Sequence, residues 1–268
     1  MTFEIKEKYG MSDLLAIMKL LRSENGCPWD REQNHKSIRR NLIEEAYEVA
    51  EAIDNEDTEN LREELGDLLL QVVFHSEMEE ETGAFTFDDV TDEICKKLIV
   101  RHPHIFSDVT ADTTDEVLKN WESIKMETKG QKSASQSIDS VPRSLPALMR
   151  SEKIQKRAAK VGFDWNDVYG AMDKVREEME ELREAIEEES DEHSFEELGD
   201  LLFAVVNVSR FIGADAEHSL SSACDKFARR FALCERLAAE RGIDMQAQSL
   251  EQLDELWNEA KATPNEAE

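Results

Sequence analysis

The sequence predicts an all-α fold, built as a tandem repeat of two antiparallel helical bundles. Three observations carry that expectation. Ten glycines and five prolines punctuate 268 residues, while Glu, Leu, Ala and Lys, all good helix formers, are frequent. Apolar residues recur at helical spacing, and no stretch alternates with the period of two that a half-buried strand needs. The heptapeptide EELGDLL occurs twice, from Glu63 to Leu69 and from Glu196 to Leu202, at an offset of 133 residues. Self-similarity at that distance marks a duplicated structural unit.

In chain order, the opening MTFEIKEKYG is polar and charged rather than an apolar leader. In the first copy Leu42, Ala46, Val49, Ala50 and Ile53 fall on one helical stripe; Leu61, Leu65, Leu68, Leu69 and Val72 fall on the next. Between them Asp54-Asn55-Glu56-Asp57 suits a tight turn followed by a helix cap. Pro103, between His102 and His104, is placed to end a helix. Residues 127–144 are polar, poor in large apolar side chains, and read as a linker. The expected domains are therefore 1–126 and 145–268, each of four or five helices. At the 133-residue offset Glu44, Glu45, Glu48, Val72 and Val73 recur as Glu177, Glu178, Glu181, Val205 and Val206. Elsewhere the offset drifts, as loop insertions make it drift. Cys95, Lys97 and Arg101 correspond to Cys224, Lys226 and Arg230, Trp121 and Lys125 to Trp257 and Lys261, and Trp29 to Trp165.

A hydrophobic fraction of 40 % supports real cores despite 35 % charged residues. The net charge of −29 repels nucleic acid and anionic membrane surfaces, so neither is an expected partner. Phosphate chemistry on such a surface requires bound cations. No apolar run approaches the ~20 residues of a membrane span. Cys27, Cys95, Cys224 and Cys234 form no C-x-x-C pair, and a soluble, reducing, cytoplasmic setting with free thiols is expected.

The chemistry is carried by carboxylates. Glu45 and Glu48 are three apart on one helix, and Glu64 and Asp67 three apart on the next, so each pair shares a face. In an antiparallel hairpin, residues whose numbers add to one constant lie at one height. Glu45 with Asp67, and Glu48 with Glu64, both add to 112. In the second copy Glu178 with Asp200, and Glu181 with Glu197, both add to 378. Each copy thus gathers four carboxylates within about one turn, ~5 Å along the axis. Two like charges ~4 Å apart cost roughly 4 kcal/mol at an effective dielectric near 20, which a cation between them relieves. An all-oxygen set without histidine suits Mg²⁺, or Mn²⁺. A single Glu-Glu-x-x-Glu run is common on solvated helix faces; the duplication and the shared heights favour metal binding. His35 and His75 read as isolated. No Gly-rich phosphate loop and no Ser-His-Asp or Cys-His arrangement occurs.

The pattern E-E-x-x-E, spacer, E-x-x-D resembles the MazG family of nucleoside triphosphate pyrophosphohydrolases. So do Gly26-Cys27-Pro28-Trp29-Asp30, Arg101-His102-Pro103-His104-Ile105-Phe106, the run from Pro142 to Leu148, and Gly162-Phe163-Asp164-Trp165. The resemblance covers nearly the whole chain as a two-copy member. It implies hydrolysis of NTPs or dNTPs to monophosphate and pyrophosphate with broad base tolerance, and a homodimer. It also implies house-cleaning of abnormal nucleotides or adjustment of nucleotide pools under stress. Glu178, Glu181, Glu197 and Asp200 are the expected metal ligands, with Glu177 or Glu178 orienting the attacking water.

Cations are expected to hold the phosphates. Lys226 and Arg230 lie four apart on one face, as do Trp257 and Lys261. Guanidinium and ammonium groups clamp phosphate oxygens, and an indole can stack on a base. Glu196 and Arg229 join this substrate-binding set, as do Lys97, Arg101, Trp121 and Lys125 of the first copy. Lys174 precedes Glu178 by four, whereas its counterpart is Asn41. That difference favours the second copy as the main active site, although an ordinary i,i+4 ion pair would look the same. Two rival readings stand: an acidic helical module binding a basic partner, and a narrow dUTP or phosphoribosyl-ATP hydrolase.

Overall fold

The computed structural model describes residues 3–107, 113, 117, 124, 133–188 and 190–263. The regular structure of the described residues is helical, with no strand among them. The chain divides into two compact units, Met1–Thr128 and Lys129–Glu268.

The first unit comprises α1 (Met11–Arg22), α2 (Pro28–Glu32), α3 (Arg39–Asp54), α4 (Thr58–Thr82), α5 (Phe87–Arg101) and α6 (Pro103–Phe106). Helices α3 and α4 form its central hairpin, and α1 and α5 pack on α4. The turn between them is the one expected. Glu56 adopts a left-handed φ of 54°, and Asp57 caps α4 by accepting from the amides of Glu59 and Asn60. Gly83, at φ 76°, ends α4 in the left-handed region. Pro103 separates α5 from α6 by standing at the first position of α6. The core gathers Met18, Ile38, Val73, Phe74 and Met78, with Leu14, Leu15, Leu70 and Phe87 against it.

The second unit comprises α7 (Ala134–Asp139), α8 (Ala147–Ala159), α9 (Val168–Glu187), α10 (Asp191–Phe211), α11 (Ala216–Glu240), a 3₁₀ turn (Met245–Ala247) and α12 (Leu250–Ala262). Its hairpin is α9 with α10; α8 packs on α10 and α11, and α12 on α11. Asp167 caps α9 through the Gly170 amide, and Ser190 caps α10 through the His193 amide.

Two local expectations differ from the structure. The stretch read as linker contains helix α7, which packs on α8. Ser133 caps it, the Arg157 guanidinium donates to the Ser137 carbonyl and to Ser140 Oγ, and Val141 is buried. Two apolar side chains in a polar segment suffice when a neighbouring helix receives them. The stripes on α3 and α4 are also not the buried faces within one chain. Ala46, Ala50, Ile53, Leu65, Leu69 and Val72 are exposed; α4 instead buries Gln71, Val73, Phe74, Ser76, Glu77 and Met78. The second copy repeats the pattern, with Phe195, Leu198, Leu202 and Val205 exposed along α10.

Candidate active site

The hairpins bring the carboxylates together. In the first unit, oxygens of Glu45, Glu48 and Glu64 lie within 4.8 Å of one another; in the second, oxygens of Glu178, Glu197 and Asp200 do. The fourth member is close in each case. Burial, then a hydrogen bond and charge from Glu48, then the charges of Asp67 and Glu64, push the Glu45 carboxyl above the usual range. Desolvation and the charges of Glu48 and Asp67 do the same to Glu64. In the second unit desolvation, then the Glu178 charge, raise Glu181, with Lys174 opposing. Burial leads each of these shifts and the neighbouring carboxylates add to it. The donors are all oxygen, at a spacing that fits a hard divalent ion.

The two copies are not equivalent. Glu178 is 5 % exposed, and Lys174 Nζ lies 2.5 Å from its Oε1 and 2.7 Å from Glu177 Oε1. These two carboxylates raise the Lys174 pKa, hydrogen bonding to Glu177 contributing most. Glu177 is exposed and stands outside the carboxylate trio. A histidine missed in the sequence joins this site: His193 Nε2 is 3.0 Å from Glu197 Oε1, one turn away on α10. The i,i+4 spacing was legible, but the first copy has Asn60 there, so the repeat did not draw attention to it.

Lys226, Arg229 and Arg230 lie on α11 and form no ion pair among the described residues, unusual for cations in a chain of net charge −29. Glu196 is exposed on α10. The Trp257 ring packs 5.0 Å from Phe227, with Lys261 Nζ 5.9 Å from its centroid. In the first unit Lys97 is exposed and Arg101 half-buried on α5. Trp121 and Lys125 lie outside the described residues. His35 and His75, read as isolated, are in contact. Their Nδ1 atoms are 2.7 Å apart and His35 Nε2 is 2.7 Å from Glu79. Forty residues separate them, so no local spacing announces the pair. Burial, then the neighbouring ring, lower the His75 pKa.

Among the described residues no helix is long and apolar enough to cross a membrane. All four cysteines are free.

Comparison with known proteins matches these hairpins. The family model described as the MazG nucleotide pyrophosphohydrolase domain fits twice, at residues 33–106 and 167–233. The chain is 49 % identical to the nucleoside triphosphate pyrophosphohydrolase of Escherichia coli (strain K12), over 92 % of this chain and 95 % of that protein. It is 45 % identical to the nucleoside triphosphate pyrophosphohydrolase/pyrophosphatase MazG of Thermotoga maritima, over 93 % and 94 %. Protein YabN of Bacillus subtilis is 49 % identical over 94 % of this chain, which spans 52 % of that longer protein. With the same domain matched once on each carboxylate hairpin, the chain belongs to the MazG nucleotide pyrophosphohydrolase family.

Proposed function

We propose that the protein is a Mg²⁺-dependent nucleoside triphosphate pyrophosphohydrolase, converting NTP or dNTP and water to NMP and pyrophosphate with broad base tolerance. The observation that carries this is the Glu178, Glu197 and Asp200 cluster, with Glu181 beside it. Glu178, Glu181, Glu197 and Asp200 would hold Mg²⁺, with Mn²⁺ as a substitute. A bound ion would neutralise phosphate charge and acidify water. Glu177, outside the trio and tethered by Lys174, orients the attacking water and receives its proton. Attack at the α-phosphorus breaks its bond to the bridging oxygen, and pyrophosphate departs carrying that oxygen. Lys226, Arg229 and Arg230, which form no ion pair among the described residues, receive it.

We further infer that the enzyme works as a cytoplasmic homodimer. Leu198, Leu202 and Val205 on α10 and their counterparts Leu65, Leu69 and Val72 on α4 are exposed on the hairpins that carry the chemistry. Burying such stripes against a second copy is the ordinary solution for a helical bundle.

The test is product analysis. Purified protein is incubated with a panel of NTPs and dNTPs, with and without Mg²⁺, beside Glu197→Gln and Glu64→Gln. Mg²⁺-dependent NMP and pyrophosphate are expected, with Glu197→Gln abolishing turnover and Glu64→Gln sparing most of it. Release of orthophosphate and NDP, or no turnover by folded protein in Mg²⁺, would sink the reading.

A further inference from the structure

The first unit holds a cavity of about 260 Å³ between α1, α4 and the start of α5. It is smaller than a drug-sized pocket and suits a small ligand. Leu15 and Ala16 of α1, Val73 of α4 and Phe87 of α5 give it an apolar wall. It stands apart from the carboxylate cluster of the same unit. Glu64 and Glu77 are thirteen residues apart on α4, about 20 Å along the axis.

One acid in that wall has no partner. Glu77 is 8 % exposed, and among the described residues its carboxylate accepts no hydrogen bond and forms no ion pair. Its oxygens are not among the side-chain atoms sealed off from solvent, and the surface Glu77 keeps lies in the wall of this cavity. Both neighbouring cations of α1 are already taken. Lys19 Nζ lies 2.7 Å from Glu80 Oε1, and the Arg22 guanidinium holds Glu81 through two nitrogens at 2.6 and 2.7 Å. Burial pushes the Glu77 carboxyl above its usual range, with Lys19 and Arg22 opposing and Glu80 and Glu81 adding to the shift. A buried carboxylate without a donor is costly unless a ligand supplies one.

The surroundings define the ligand. The unpartnered group is an acid, so the occupant is cationic. A divalent metal does not fit: among the described residues, the acidic oxygens that converge within 4.8 Å are those of the two hairpins, and Glu80 is held by Lys19. An ammonium needs only one carboxylate, and a methylene chain suits the wall of Leu15, Val73 and Phe87. Asp88, exposed in the first turn of α5, lines the same cavity, and its carboxylate has no cationic partner among the described residues. Two such acids, one buried and one exposed, with an apolar wall, match an ammonium at each end of a short aliphatic chain. The second copy does not repeat the arrangement, because at the hairpin offset Glu77 corresponds to Arg210 and Glu80 to Gly213.

We propose that this cavity binds an aliphatic diamine, with one ammonium on the Glu77 carboxylate and the other at Asp88. The ligand supplies the donor that Glu77 lacks, and its methylenes lie against Leu15, Val73 and Phe87. The site is separate from the pyrophosphohydrolase reading and stands or falls without it. The net charge of −29 draws any polycation to the surface. Dependence on one buried acid distinguishes the cavity from that general field.

The experiment is calorimetric titration of the full chain with 1,4-diaminobutane and with 1-aminobutane. Excess Mg²⁺ occupies the hairpin carboxylates, and ~0.15 M salt screens charges beyond about 8 Å. Wild-type protein is expected to bind the diamine at one saturable site and more tightly than the monoamine. Nuclear Overhauser contacts are expected between the diamine methylenes and the Phe87 ring. Glu77→Gln, close in shape, is expected to weaken diamine binding about tenfold, with the far-ultraviolet spectrum unchanged. Asp88→Asn is expected to bring the diamine towards the affinity of the monoamine. No saturable binding by wild-type protein, or no contact with Phe87, overturns the proposal whether or not the variants fold. Equal affinity in wild-type protein and folded Glu77→Gln also overturns it, because that marks adsorption to the acidic surface. A preference for the diamine that survives Asp88→Asn overturns the second contact.

Discussion

The ammonium of Lys174 lies 2.5 Å from Oε1 of Glu178, the most buried carboxylate of the second-copy cluster, whereas the first copy places Asn41 before the equivalent Glu45. The pair is not a simple surface bridge, because the Glu178 side chain is 7 % exposed while Lys174 is 33 % exposed. Lys174→Met leaves that carboxylate without its internal cation. We expect a loss of about 1–2 kcal/mol in the metal-free protein, below the value for a fully buried pair because water screens the lysine. Urea unfolding in EDTA measures it. Asn41→Lys is expected to leave turnover unchanged, read by pyrophosphate release.

Stability should depend on pH and metal together. The carboxyls of Glu45, Glu64 and Glu181 are raised, with desolvation the leading cause and neighbouring carboxylates next. A raised carboxyl pKa means the folded state holds its proton more tightly than the unfolded chain. Its penalty is absent at low pH and grows as pH rises through the folded value. Mg²⁺ should therefore raise the melting temperature more near pH ~7.5 than near pH ~5. Mg²⁺ at about a hundredfold over its Kd contributes about 2.7 kcal/mol. Thermal scans with EDTA or MgCl₂ at both pH values check this; an equal Mg²⁺ increment at both would contradict it.

His193 holds Glu197 from one turn away. Groups that orient metal ligands typically contribute 10–100-fold to affinity or activity, and half exposure places His193 at the low end. His193→Ala should raise the Mg²⁺ concentration for half-maximal activity by about tenfold or less, with little change in melting temperature. A Mg²⁺ titration of initial rates decides it.

Gly170 is the third residue of α9, and an alanine there would gain helix propensity of up to ~1 kcal/mol. Its methyl would press on the Trp165 ring at 3.1 Å. Trp165 is 45 % exposed and has room to shift. Gly170→Ala should leave stability within about 1 kcal/mol of wild type, read by calorimetry.

Leu202→Glu, on the exposed α10 stripe, should convert a dimer to monomer while the single chain keeps its helical content. Light scattering after size exclusion reads the mass. A wild-type monomer at micromolar concentration would contradict the homodimer.

The hairpin register was legible because carboxylate pairs three apart, joined by a turn with a strong cap residue, leave one antiparallel alignment. Asp57 is that cap. Which face of α3 and α4 is buried was not legible. Leu65 and Leu69 are as apolar as Val73 and Phe74, and periodicity cannot say whether a stripe meets its own chain or is left exposed. The His35–His75 contact depends on where the residues before α3 meet α4, a long-range outcome. Gln155 reads in sequence as an ordinary polar residue among Lys153, Lys156 and Arg157; only the approach of the Phe203 carbonyl turns it inward.

The turn between the hairpin helices has a history written in its length. Helix α3 ends at Asp54 and α4 begins at Thr58; α9 ends at Glu187 and α10 begins at Asp191, each 133 residues later. The two copies differ in their cap, Asp57 against Ser190, and Asn41 stands opposite Lys174, while segments outside the hairpin differ in length. One residue inserted in this turn would rotate the second helix by about 100° relative to its partner and scatter the four oxygens. The two copies differ here in side chains and not in length. Among distant relatives, the sixteen-residue step from Glu48 to Glu64, repeated from Glu181 to Glu197, should therefore outlast the identity of nearly everything around it.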